Sequence, residues 1–120
     1  MTEGSGPLLD DLLAALERAS SKSQPLLQDS SQVDSELGRD LLDVICMQFL
    51  AIGEALKRFE RHWPGRLQAE FPSVDWKGAM GFRDMIAHQY FDLDSEQVLL
   101  TCEQSLPSLI TAVRALRQSQ

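Results

Sequence analysis

Between residues 34 and 62 the apolar side chains return every three or four positions, at Leu42, Ile45, Phe49, Ile52, Leu56 and Phe59. That spacing follows the 3.6-residue turn of an α-helix and lays one continuous seam along it, like that of a coiled coil. A second set, Val44, Met47, Ala51 and Ala55, falls on a different face. The helix is therefore apolar over more of its circumference than packing inside one small domain uses. A second copy of the chain is the simplest cover for the surplus face, since symmetric dimers are the commonest assembly, and dimerisation through this long second helix is expected. The small residues Ala51, Gly53 and Ala55 would let another backbone come close.

No stretch alternates in the period-two manner of a strand, and only five prolines and seven glycines interrupt long Leu-, Ala-, Glu-, Arg- and Gln-rich runs, so the fold class is all-α. At 120 residues the chain is one domain's worth, residues 1–120. Gly6-Pro7, followed by Asp10 and Asp11, starts a first helix whose stripe is Leu8, Leu9, Leu12, Leu13, Leu16 and Ala19. Residues 20–33, rich in Ser and Gln and containing Pro25, read as a mobile connection with a short helical turn near Leu26 and Leu27, which separates residues 1–34 from a helical core over 35–117. Trp63-Pro64-Gly65 ends the long helix. After Phe71-Pro72, Asp75 is placed to cap a helix beginning at Trp76, in which Gly78 and Gly81 suggest close packing. A last helix from about Ser95 to Arg117 carries Val98, Leu99, Cys102, Leu106, Leu109, Ile110, Val113 and Leu116 on its inner side, with Pro107 as a kink. An up-and-down bundle of four to five helices results.

Neither a membrane span nor a signal peptide is expected, and the chain reads as cytoplasmic. Cys46 and Cys102 have no Cys-x-x-Cys spacing and no histidine pair near them, so they read as reduced core thiols, with no disulfide framework, no metal site and no cofactor. The net charge of −7 argues against a nucleic-acid partner until its distribution is considered. Residues 57–83 carry six basic and three acidic side chains, whereas the flanking segments are acidic. Lys57, Arg58, Arg61 and Lys77 in that basic middle are candidate RNA contacts, although ordinary helix-surface charge reads equally well.

The segment from Gly81 to Asp94 gathers Arg83, Asp84, His88 and the sole tyrosine, Tyr90, within eight residues. On a helix Asp84 and His88 share a face, so the carboxylate is expected to accept from one imidazole nitrogen and leave the other free. Arg83 lies five positions before His88, about 140° around an ideal helix, so the two meet only if the guanidinium wraps round or the helix loosens near its end. A histidine that exchanges protons near neutral pH, beside a guanidinium that binds phosphate, suits metal-independent RNA cleavage by attack of the 2′-hydroxyl on the adjacent phosphodiester. A partly buried histidine held by Asp84, with Arg83 in a surface ion pair, accounts for the same spacing.

Arg83-x4-His88-x-Tyr90 resembles the signature of HEPN ribonucleases in the Arg-x4-His-x-Tyr form of the HepT family. Ile52-Gly53-Glu54-Ala55, the Phe71-Pro72 to Asp75-Trp76 approach and Tyr90-Phe91-Asp92-Leu93-Asp94 are similar to family hallmarks as well, so the likeness covers roughly residues 35–115. The resemblance implies a dimer that brings two Arg83/His88 pairs to one interface cleft, an endoribonuclease activity on RNA, possible substrates being tRNA and mRNA, and a role as the toxin of a toxin–antitoxin pair. It also implies a partner, a minimal nucleotidyltransferase antitoxin of the MNT type that adds AMP groups to Tyr90. Asp84 stands where many relatives carry Asn, and Asp84 and Glu54 are expected to support or orient the site. Two rivals stand beside this reading. One is a non-catalytic HEPN-like scaffold that binds a nucleotide or a nucleotidyltransferase; the other is a metal-dependent hydrolase built on His62 and His88, which the 26-residue separation disfavours.

Overall fold

In the computed structural model, which describes residues 4–119, the chain forms α1 (Gly6–Gln28), α2 (Glu36–His62), α3 (Arg66–Glu70), α4 (Trp76–Gln89) and α5 (Ser95–Gln118). Short 3-10 turns at Ser30–Asp34 and Tyr90–Asp92 join α1 to α2 and α4 to α5. There is no strand among the described residues, and the all-α bundle read from the sequence is the fold. The outer residues of the 1–120 span, 1–3 and 120, lie outside the described part.

α2 forms where its seam predicted. Ser35 caps it by accepting from the Gly38 N–H at 2.9 Å, and Trp63 ends it. Gly65 takes φ 75°, the left-handed conformation that lets the chain turn into α3. Ile45, Phe49, Ile52, Leu56 and Phe59 are all buried. They join residues from the other four helices in a single core cluster. α2 packs against α1 on one side and α4 on the other, and α1 packs against α5. The Arg117–Asp10 and Arg114–Glu17 ion pairs show that α1 and α5 run antiparallel.

The mobile connection expected over 20–33 is corrected: α1 continues through Pro25 to Gln28 and the 3-10 turn follows at once. Proline costs the helix one ladder bond. The carbonyl left without that donor is that of Ser21, and the nearby side-chain bonds, Ser23 Oγ at 2.8 Å and Gln24 Nε2 at 3.4 Å, both go to the Ser20 carbonyl instead. Complete burial of Leu26 in the core offsets the loss. α5 likewise runs unbroken across Pro107. Cys46 and Cys102 are buried free thiols, and burial first of all pushes them up to about 11 and about 12 respectively, so both stay protonated. No helix among the described residues is long and apolar enough to cross a membrane.

Candidate functional site

The motif residues lie on α4 and the turn that follows it, against the exposed flank of α2. Asp75 caps α4 as expected, accepting from the Gly78 N–H at 2.9 Å, and the Trp76 indole N–H donates to the Phe71 carbonyl at 3.1 Å. Trp76, Ala79, Phe82 and Ile86 form the buried side of α4, and the Phe82 ring meets Phe49 of α2 edge-on at 4.8 Å between centroids. The close approach of the two helices is set by Gly53, where a Cβ atom would stand 2.1 Å from the Cβ of Arg83. Only hydrogen fits there. Of the two α4 glycines expected to pack closely, Gly78 does, against the carboxylate of the capping Asp75, whereas Gly81 has open space around it; the close approach between helices is at Gly53. Gly53→Ala is expected to cost about 1–3 kcal/mol by forcing α4 outward, measured as a shift of the denaturation midpoint.

Arg83 enters the groove between the helices. Its Nε lies 2.9 Å from Glu54 Oε1, a close charge contact whose angle falls short of a hydrogen bond, and its Nη1 donates to Asp84 Oδ1 at 3.3 Å. Lys57 donates to the same Asp84 oxygen at 2.5 Å. Two cations and two carboxylates thus alternate across the groove. The Lys57 hydrogen bond above all holds the Asp84 carboxyl below its ordinary value of 3.8, so Asp84 stays ionised as pH falls toward that value and the pairing is lost only on further acidification. Glu54 and Asp84 are each about half exposed, at 53% and 45%, so water screens these pairs. A phosphate could compete for Arg83 at little cost.

The hydrogen bond expected between Asp84 and His88 is not formed; Asp84 turns to Lys57 and Arg83, whose full charges bind it more strongly than an imidazole does. His88 is exposed and, among the described residues, has no hydrogen-bond or ion-pair partner. α4 does not break before His88: the helix departs from helical backbone angles only at Gln89 (φ −127°, ψ 27°), so Arg83 faces α2 while His88 lies about 140° round the helix from it. Tyr90 is half-exposed, and its hydroxyl donates to the Asp43 carboxylate of α2. The Glu54–Arg83 and Asp43–Tyr90 contacts together make α2 and α4 antiparallel.

Asp43 was not singled out in the sequence. An antiparallel register anchored at Glu54–Arg83 places Tyr90 seven residues further on, near residue 47, with Asp43 one turn beyond, and that was the available signal. The hydrogen bond to Asp43 raises the Tyr90 phenol above 10.0, which favours the protonated, folded form; the stabilisation is present below pH 10.0 and lost as pH rises through the folded value. Because Tyr90 is the sole tyrosine, phenolate absorbance reads it alone. Asp43→Asn is expected to move that midpoint down toward 10.0.

Of the basic candidates, Lys57 is engaged with Asp84, whereas Arg58, Arg61 and Lys77 are exposed and carry no ion pair among the described residues. Met47, Ala51 and Leu37 leave the outer face of α2 partly apolar and exposed. No group of three or more His, Cys, Asp or Glu residues among those described is arranged to hold a metal ion.

A helical bundle with an exposed histidine and a groove-bound arginine on one helix, and a tyrosine just beyond, is the class of protein that fold and site define. The family described as Ribonuclease HepT-like matches residues 13–116, and the chain belongs to it. Two proteins of Methanocaldococcus jannaschii are similar to parts of the chain. "Putative RNase MJ1216" is 32% identical over 66 residues, which is 55% of this chain and 50% of that protein. "Putative RNase MJ0125" is 33% identical over 58 residues, 48% of this chain and 47% of that protein. The chain thus spans about half the length of the curated relatives it matches. No solved structure matches it.

Proposed function

We propose that the chain is a metal-independent endoribonuclease and the toxin component of a cytoplasmic toxin–antitoxin pair, with its site completed by dimerisation through α2. The observation that carries this reading is His88, exposed and unpartnered on α4, in a chain of the ribonuclease HepT-like family. Its imidazole takes the 2′-hydroxyl proton or protonates the leaving oxygen, and the Arg83 guanidinium stabilises the charge that builds on the phosphate. Within one chain the two side chains diverge, which supports a cleft in which a second copy brings its own Arg83/His88 pair alongside. The exposed Met47 and Ala51 offer an apolar contact for that copy. Glu54, Asp84 and Lys57 orient Arg83, while Arg58, Arg61 and Lys77 supply unpaired charge for RNA phosphates.

The exposed phenol of Tyr90 is the place where a nucleotidyltransferase antitoxin adds AMP. Its oxygen attacks the α-phosphorus of ATP and pyrophosphate leaves, with Asp43 placed to take the phenol proton. The adduct adds bulk and negative charge two residues from His88 and so repels RNA. The test is cleavage of a tRNA and messenger RNA mixture in excess EDTA, after intact-mass analysis shows Tyr90 unmodified. Cleavage supports the ribonuclease; its absence favours a binding scaffold.

A further inference from the structure

Beside the motif, between the first half of α2 and the turn after α4, lies a cavity of about 340 Å³ lined by Arg39, Asp43, Cys46, Tyr90, Phe91 and Val98, among others. That volume is within the range of small-ligand sites. Phe91 stands at its rim and is 98% exposed, the most exposed of the large apolar side chains. Its ring meets that of Tyr90 edge-on, at 5.8 Å between centroids. The turn carrying both is anchored at each end, by the Tyr90–Asp43 hydrogen bond and by Asp94, which caps α5 by accepting from the Glu96 N–H at 2.9 Å. The turn is therefore anchored on both sides of Phe91, whose ring projects from it almost wholly exposed, three residues from His88.

We propose that this cavity is a subsite for an unpaired RNA base next to the bond being cut, with Phe91 as its stacking wall; the proposal rests on the ribonuclease reading above. Charge selects the base over the backbone. Asp43 on the cavity wall and Asp92, next to Phe91 in the chain, oppose phosphate here, whereas a neutral base stacks on an aromatic face irrespective of sequence. Arg39 and Asp43 offer the edge of that base a donor and an acceptor. A base held in a duplex cannot enter, so the substrate is single-stranded at this position.

The test is steady-state cleavage of a short single-stranded RNA by wild type, Phe91→Ala and Phe91→Trp. Because Phe91 touches little of the protein, neither variant is expected to alter folding, which circular dichroism checks. Phe91→Ala is expected to raise KM roughly 5- to 100-fold with kcat nearly unchanged, and Phe91→Trp to restore KM. Cleavage by wild type with the same KM in Phe91→Ala would overturn the subsite and leave the ribonuclease reading intact. Dissociation of a dimer by Phe91→Ala, seen in light scattering, would assign the ring to a protein interface and likewise overturn the subsite. Absence of cleavage by unmodified wild type would instead overturn the ribonuclease reading, and the subsite with it.

Discussion

Replacing His88 by alanine is expected to lower RNA cleavage by roughly 10²- to 10⁴-fold, the usual contribution of a positioned general acid or base. The loss should be chemical and not structural. His88 is exposed and unpartnered among the described residues, so its removal opens no cavity and strands no polar group. The denaturation midpoint of His88→Ala should therefore match wild type, and KM should change little while kcat falls. Equal cleavage by both proteins would show that the histidine does not act, and a matching fall in stability and rate would assign it a structural role.

Phe49→Ala is expected to destabilise the fold by about 3–5 kcal/mol, which for a domain of this size lowers the melting temperature by roughly 15 °C. Phe49 is 1% exposed and sits where α2 receives α4, with the Phe82 ring edge-on against it. Its loss removes apolar contact from the one helix pair that places Arg83, Asp84 and Tyr90. Activity is expected to fall with temperature well before that of wild type, because α4 detaches as the core loosens. The control is Phe91→Ala, which removes an equally large ring from the surface and should leave the melting temperature within about 2 °C.

What the sequence made legible was whatever a single helix encodes in itself. The seam from Ile45 to Phe59 has the helical period, Asp75 precedes α4 with a capping side chain, and Pro64-Gly65 stops α2, so each element was readable from spacing and local chemistry. Pro25 misled for the opposite reason. Its local preference argues against a helix, but burial of Leu26 against other helices decides the outcome, and that burial is tertiary.

The site divides in the same way. Arg83, His88 and Tyr90 stood out by density and by resemblance, yet their partners depend on the register of α2 against α4. Lys57, 27 residues upstream, captures Asp84, and Asp43, 47 residues upstream, captures Tyr90. An i,i+4 rule for Asp84 and His88 treats the helix as isolated, and two nearby cations outweigh it. Gly53 carried its signal in residue type alone, and only the packed pair shows that it admits Arg83 of its own chain.

The most direct test of a His88-dependent ribonuclease site shared by two copies is complementation between Arg83→Gln and His88→Ala, co-expressed and isolated as the mixed dimer. Each variant alone is expected to be inactive on RNA in EDTA. The mixed dimer keeps one Arg83 and one His88 in the shared cleft and is expected to regain a measurable part of wild-type cleavage. A verified mixed dimer as inactive as either parent, beside an active wild type, would contradict the shared site.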